Sequence, residues 1–203
     1  MAAISTKIIL FAAVAFVFVE ATSGVAQTTD SQATPAAVPT AAPTLKITST
    51  KFEDWYLRCA QAEDGNSTSQ CEVAQIAQVT DNGKQVPVLT MSFAKPAPSK
   101  DKPDAAHGND LILTALVPLN VFLPIGLSFK LDGKDATQMA YRNCNQAGCW
   151  SNLTLNGKSI LAFTKAQTAI GHLQLMNGQN INIGFSTKGL SAALAELAKP
   201  QAK

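Results

Sequence analysis

From residue 72 onward, short apolar or alternating runs are separated by turn dipeptides. Residues 72–80 (EVAQIAQVT) hold Val73, Ile76 and Val79 at helical spacing, while the alternation over 77–79 also permits a strand. Asp81-Asn82-Gly83 follows, and then residues 86–93 (VPVLTMSF), rich in strand formers. Two such runs around Asn-Gly signal a hairpin, because a type I′ turn needs positive φ at both central residues. Both runs are therefore read as strands, with Pro87 placing the start of the second at a sheet edge. Residues 111–117 (LILTALV) form a continuous apolar run and predict a buried strand. Residues 127–131 alternate and lead into Asp132-Gly133, with 137–142 as the return strand that delivers Cys144. Residues 169–176, Asn177-Gly178 and 180–186 predict a last hairpin, in which Ile181, Ile183 and Phe185 share one face.

Two stretches depart from this rhythm. Asn156-Gly157 predicts a further turn, after which 159–166 (SILAFTKA) can form a short helix. Leu190, Leu194 and Leu197 make 190–198 a one-sided helix that should dock on the sheet, and Pro200 stops it. Residues 95–109 form a polar, proline-rich, protease-sensitive loop. Residues 111–127 are largely apolar, but Pro118, Pro124 and Asn120 argue against a membrane span. Turns of the Asn-Gly or Asp-Gly type at four places favour a mostly-β fold. The expectation is a compact antiparallel β-sandwich or barrel-like domain with one or two short helices, including a C-terminal one. No internal repeat is present.

The N-terminus has a different character. Lys7 precedes an unbroken apolar run over 8–19, closed by Glu20. As a helix that run spans about 18 Å, short of a bilayer core of about 30 Å. Gly24-Val25-Ala26 then places small residues at a cleavage site, so residues 1–26 read as a secretory signal peptide cut before Gln27. Residues 27–45 (QTTDSQATPAAVPTAAPTL) cannot bury enough apolar surface to offset their ordering entropy and read as a disordered Ala/Pro/Thr-rich leader. Residues 46–203 are then a single domain of about 150 residues, a common domain size. No transmembrane span remains after signal cleavage.

Composition adds compartment rather than chemistry. Sixteen Lys+Arg against fourteen Asp+Glu give a net charge of +2, too small and dispersed for nucleic acid. In an exported chain the even set Cys59, Cys71, Cys144 and Cys149 reads as a disulfide framework. Of three pairings, the local Cys59–Cys71 and Cys144–Cys149 are favoured, and the others stay open. Loop closure makes them worth about 3 and about 2 kcal/mol. The spacings suit neither a zinc site nor a C-x-x-C redox pair.

No nucleophile elbow, Walker loop, G-x-G-x-x-G, H-E-x-x-H or EF-hand loop occurs. His107 falls in the proline-rich loop and His172 in an expected strand, and each reads as a solvated or core histidine. Glu53-Asp54 and Glu63-Asp64 are sequence neighbours, which point to opposite sides of a strand unless a turn brings them together. Trp55 and Trp150 flank the cysteines and read either as partner-contact aromatics or as core. Asn66-Ser67-Thr68 and Asn152-Leu153-Thr154 match the glycosylation pattern but would carry no meaning in a bacterial chain. The residues imply no catalytic group, cofactor or metal.

Phe52-x-x-Trp55 with Cys59, Cys71-Glu72-Val73, Val117-Pro118-Leu119 with Leu123-Pro124-Ile125-Gly126, Arg142-x-Cys144 and Gly148-Cys149 stand in an ordered series. Lys188-Gly189-Leu190 with Ala192-Ala193-Leu194 closes it. The series resembles the invasion-associated locus B family of alphaproteobacteria, over roughly residues 50 to 198. The resemblance implies an exported, non-enzymatic protein of the periplasm, outer membrane or cell surface. The family is named for a factor linked to invasion of host red blood cells. It implies a host-cell surface component or a bacterial envelope protein as partner. The alternative expectation is a periplasmic binding or envelope-maintenance module without host contact.

Overall fold

The computed structural model describes residues 45–63, 69–97 and 109–200. The signal segment, the leader up to residue 44 and residues 98–108 of the proline-rich loop lie outside the described residues.

Alternation builds most of the larger sheet. In β3 (Gln70–Asp81), β4 (Lys84–Ala94) and β5 (Leu111–Val117), the side chains of Val73, Leu89, Met91, Phe93, Leu113, Ala115 and Val117 are buried on one face. The β3–β4 turn uses positive φ at both Asn82 (48°) and Gly83 (77°), as the Asn-Gly signal requires. Ahead of them lie β1 (Leu45–Phe52) and β2 (Trp55–Ala62). With β8 (Tyr141–Asn145) and β9 (Gly148–Leu155) they complete a seven-stranded antiparallel sheet, in the order β1-β2-β3-β4-β5-β9-β8. A four-stranded sheet, in the order β11-β10-β6-β7, is made by β6 (Leu127–Leu131), β7 (Lys134–Met139), β10 (Ala169–Gln174) and β11 (Asn180–Phe185). This is the mostly-β antiparallel architecture expected from the sequence.

One core joins the sheets. Helix α1 (Gly157–Lys165) buries Phe163, which contacts Phe93 of the larger sheet and Phe129 and Phe185 of the smaller, with ring centroids 5.6, 5.7 and 6.4 Å away. Trp55 extends the aromatic chain through Phe93 at 5.6 Å. Each pair adds about 0.5–1.5 kcal/mol beyond area burial. Helix α2 (Leu190–Ala198) packs Leu190, Ala193 and Leu197 against β1, β2 and β3, as its one-sided pattern predicts.

Pro87 bears out the edge position expected for it, and three other details differ from the sequence expectations. Pro87 lies within an interior strand, but β5 pairs with β4 only from Thr90 to Ala94, so Pro87 falls on an overhang where no ladder bond to β5 is lost. A bulge between Ala77 and Gln78 accompanies it. The stretch 137–142 is not one strand. β7 ends at Met139 in the small sheet, and the chain changes sheets at Ala140 before β8 begins at Tyr141. Nearby, Gly126 brings its backbone against the Met139 carbonyl, an approach closed to any Cβ. Asn156-Gly157 is no hairpin turn. Asn156 is extended (φ −78°) and caps α1, its Oδ1 accepting from Ser159 N at 3.0 Å. Finally, β1, β2 and β9 have no counterpart in the sequence expectations.

The junction into α2 makes a testable prediction. Gly189 has φ +83°, and a Cβ there would overlap the Phe52 carbonyl oxygen. Gly83, at φ +77°, borders open space, with nothing within 4 Å of where a Cβ would stand. Gly83→Ala should therefore show backbone strain alone, about 1–2 kcal/mol. Gly189→Ala should exceed it, with a fall in Tm of about 5 °C or more. Equal losses in thermal melts of the two variants would remove the close approach as a constraint.

Candidate functional site

The strand register sorts the candidate residues. Trp55 is fully buried, and its Nε1 donates to the Ser186 carbonyl at 2.9 Å, so it is a core residue. Trp150, on β9, is half-buried and faces away from the core. Cys59 is bonded to Cys71 across β2–β3, and Cys144 to Cys149 across β8–β9, each pair at directly facing positions. Glu53 and Asp54 form the β1–β2 turn, where Asp54 Oδ2 accepts from Ser186 Oγ at 2.6 Å. That bond commits Asp54 to structure. His172 Nδ1 lies 2.7 Å from Asn182 Oδ1 across β10–β11. Glu63 and Asn152 are exposed. His107, Asp64 and Asn66 lie outside the described residues.

Alternate positions of the larger sheet face away from the core, and among the described residues no helix or strand covers them. Residues stand across this outer face in rows. One row runs Lys51, Tyr56, Ala74, Ser92, Thr114 and Asn152. The next runs Ile76, Thr90, Leu116, Trp150 and Asn143. Tyr56 is 41% and Ile76 49% exposed, with Lys51 Nζ 5.8 Å from the Tyr56 ring centroid. Arg58 and Glu72 form a part-exposed ion pair at 3.0 Å in a third row. An antiparallel sheet with one face packed and one face open has this alternation.

Two concavities stand out. At the β5–β9–β8 end of the outer face, Thr114, Arg142, Asn143, Asn145, Trp150 and Asn152 line a depression of about 460 Å³. Arg142 Nη1 donates to Asn152 Oδ1 at 3.1 Å, which holds the guanidinium beside the Trp150 side of the sheet. The second is an open groove of about 550 Å³ between α1 and the β6–β7 hairpin, with Phe163 and Ala162 on its floor and Lys134, Lys158 and Lys165 on its rim. Its carboxylates already have partners. Asp132 Oδ1 accepts from Thr168 N and Gln167 N at 2.8 and 2.9 Å, and these bonds hold its carboxyl below the usual range. Asp135 pairs with Lys130 at 3.4 Å.

Sequence reasoning missed the depression because its residues come from three strands and meet only through register. Trp150 was the one signal available. Among the described residues no group of three or more His, Cys, Asp or Glu could hold a metal, and no helix is long and apolar enough to cross a membrane.

These features define the class: a two-sheet antiparallel β-sandwich with a disulfide near each end of its larger sheet and an open outer face. The family follows from the sequence. The profile described as "Invasion associated locus B (IalB) protein" matches residues 55–198, and the chain belongs to that family. Among solved structures it is similar to invasion associated protein B from Bartonella henselae, at 15% identity and a TM-score of 0.56. The likeness covers 74% of this chain and 95% of that one, and it concerns the fold. Comparison with curated proteins finds no match.

The placements of the aromatic residues can be checked in solution. Trp150 is accessible and Trp55 is not, so iodide should quench the Trp150 emission while a Trp150→Phe variant stays nearly unquenched. Equal quenching of the wild type and that variant would contradict the assigned exposures. Trp55→Ala should also cost about 3–5 kcal/mol. A separate prediction concerns Tyr141, opposite Ser151 on β9. Among the described residues neither hydroxyl has a hydrogen-bond partner, and burial pushes the Tyr141 phenol up to about 12. The unfolded phenol titrates near 10. The folded state thus keeps its proton where the unfolded state loses it, so stability falls as pH rises from about 10 to about 12. Tyr141→Phe should leave neutral-pH stability unchanged or higher, and should flatten the alkaline loss in pH-dependent melts. A loss of stability at pH 7 would show that the hydroxyl has a favourable partner.

Proposed function

We propose that this chain is exported and acts by contact rather than catalysis, promoting attachment to or invasion of host cells, erythrocytes being the cells to which the family's name-giving factor is linked. In this reading residues 1–26 are a cleaved signal, 27–45 a spacer, and 46–203 the single contact domain. Membership of the IalB family supports the reading. So do two disulfides, which persist in oxidising compartments. The observation that carries it is the uncovered outer face of the seven-stranded sheet, with Tyr56 and Ile76 exposed and Trp150 half-exposed among small polar neighbours. Interface cores are enriched in aromatic anchors and depleted of charged groups.

A second reading is a periplasmic binding or envelope-maintenance module without host contact. The lysine-rimmed groove beside α1 favours it, being the larger concavity and lying away from the open sheet face.

Protease shaving of intact source cells, with a periplasmic protein as control, separates the two. Cleavage of this chain while the control stays whole is the expected result. It should be accompanied by binding of the purified mature chain to host cells. Full protection, together with no antibody labelling of intact cells, would overturn the surface reading in favour of the periplasmic one.

A further inference from the structure

The depression around Trp150 has a donor and acceptor balance that points to a ligand class. Asn152 Oδ1 is already occupied by Arg142, leaving the Asn152 amide N–H groups free to donate. Asn145 Oδ1 accepts from Ala147 N at 2.9 Å within its own turn, which likewise leaves its amide N–H groups. Arg142 keeps further guanidinium N–H groups, and among the described residues no carboxylate lines the depression. Thr114 and Asn143 add groups that either donate or accept. The depression is thus rich in donors, carries one fixed positive charge and has an aromatic side chain in its lining.

A complementary ligand must offer many acceptors, one negative charge and an apolar face for the indole. Phosphate clusters and nucleic acid need more cations than one arginine provides. A ring with hydroxyls along its edge, C–H groups on its face and a single carboxylate meets every term. The carboxylate would pair with Arg142, whose planar fork suits it, and the ring would lie on Trp150. The Cys144–Cys149 bond holds the β8–β9 hairpin on which Arg142, Asn143, Asn145, Trp150 and Asn152 are carried, so the platform is set before the ligand arrives.

We propose that this depression binds a carboxylated saccharide. The inference rests on the contact reading above and names the chemistry that the open face would recognise. Depressions of this shallowness give weak single-site binding, and several copies on a surface would strengthen it through avidity.

The test uses the purified mature chain, titrated by calorimetry and by tryptophan emission. The probes are sialyllactose, neutral lactose and a tetraglutamate peptide. Trp55 and Trp150 are the only tryptophans, so a ligand-induced change in iodide-accessible emission reports Trp150. Sialyllactose should bind and shield Trp150, at least about tenfold more tightly than lactose, as a charge-assisted bond requires. Arg142→Gln should erase that difference, Arg142→Lys should restore little of it, and Trp150→Ala should abolish binding in calorimetry. Near-ultraviolet circular dichroism checks that each variant is folded. Equal binding of lactose and sialyllactose, preference for tetraglutamate, or no binding at millimolar ligand would each overturn the inference. If Trp150→Ala loses no host-cell attachment and the wild type binds no saccharide, this inference fails while the contact reading stands. If the wild type binds sialyllactose but no host cell, the contact reading fails and the saccharide site stands.

Discussion

The domain depends on a buried amide. Gln75 on β3 is only 6% exposed, and its side chain makes three hydrogen bonds to backbone. Nε2 donates to the carbonyls of Asp54 and Ser186, both at 3.1 Å, and Oε1 accepts from Ser186 N at 3.1 Å. Trp55 Nε1 reaches the same Ser186 carbonyl. Asp54 belongs to the β1–β2 turn, and Ser186 follows β11 and leads into α2. A single side chain therefore ties an edge hairpin, an interior strand and the crossing between sheets. Every group in the knot has a partner, the condition under which a buried polar network stabilises. Removing the amide would orphan backbone groups at about 1–3 kcal/mol each. The knot sets α2 against β1, β2 and β3 and leaves the opposite face of that sheet open.

The disulfides cross-link the larger sheet at two further points along its strands. Cys59–Cys71 joins β2 to β3, and Cys144–Cys149 joins β8 to β9 at the far edge. The middle strands β4 and β5 are held by Phe93, Leu113 and the smaller sheet, so they need no covalent link. Edge strands are where sheets fray and open. The cross-links thus stiffen the flanks of a wide surface, and the second lies beside Trp150.

How much of this was legible in the sequence depended on how local the signal was. Asn82-Gly83 and Asp132-Gly133 both take positive φ at both residues, so those hairpins could be read directly. The run that became β5 and the leucines of α2 follow single-period patterns and were equally plain. β1 was hidden because its residues are almost all exposed, so no buried face imposes alternation. β9 was hidden because Ser151 interrupts its inward series of Cys149, Leu153 and Leu155. Asn156-Gly157 misled because the dipeptide suits a helix cap as well as a turn, and the following residues decide between them. Both tryptophans looked alike in sequence. Only register shows that Trp55 points into the core and Trp150 away from it.

The same register gives the open face its character. Among the described residues the groups with shifted pKa values serve separate structural roles. Asp132 is held ionised by the backbone N–H groups of Thr168 and Gln167, where it pins the α1–β10 connection. Tyr141 is raised by burial, and among the described residues its hydroxyl has no hydrogen-bond partner. The outer rows place Ser92, Thr114 and Asn152, and Thr90 and Asn143, beside Tyr56 and Trp150, on strands whose backbone is locked from the other side. A surface of that kind would lose little backbone entropy on meeting a partner. The rigidity that the core, the Gln75 knot and the disulfides impose on the inner face therefore becomes preorganisation on the outer one.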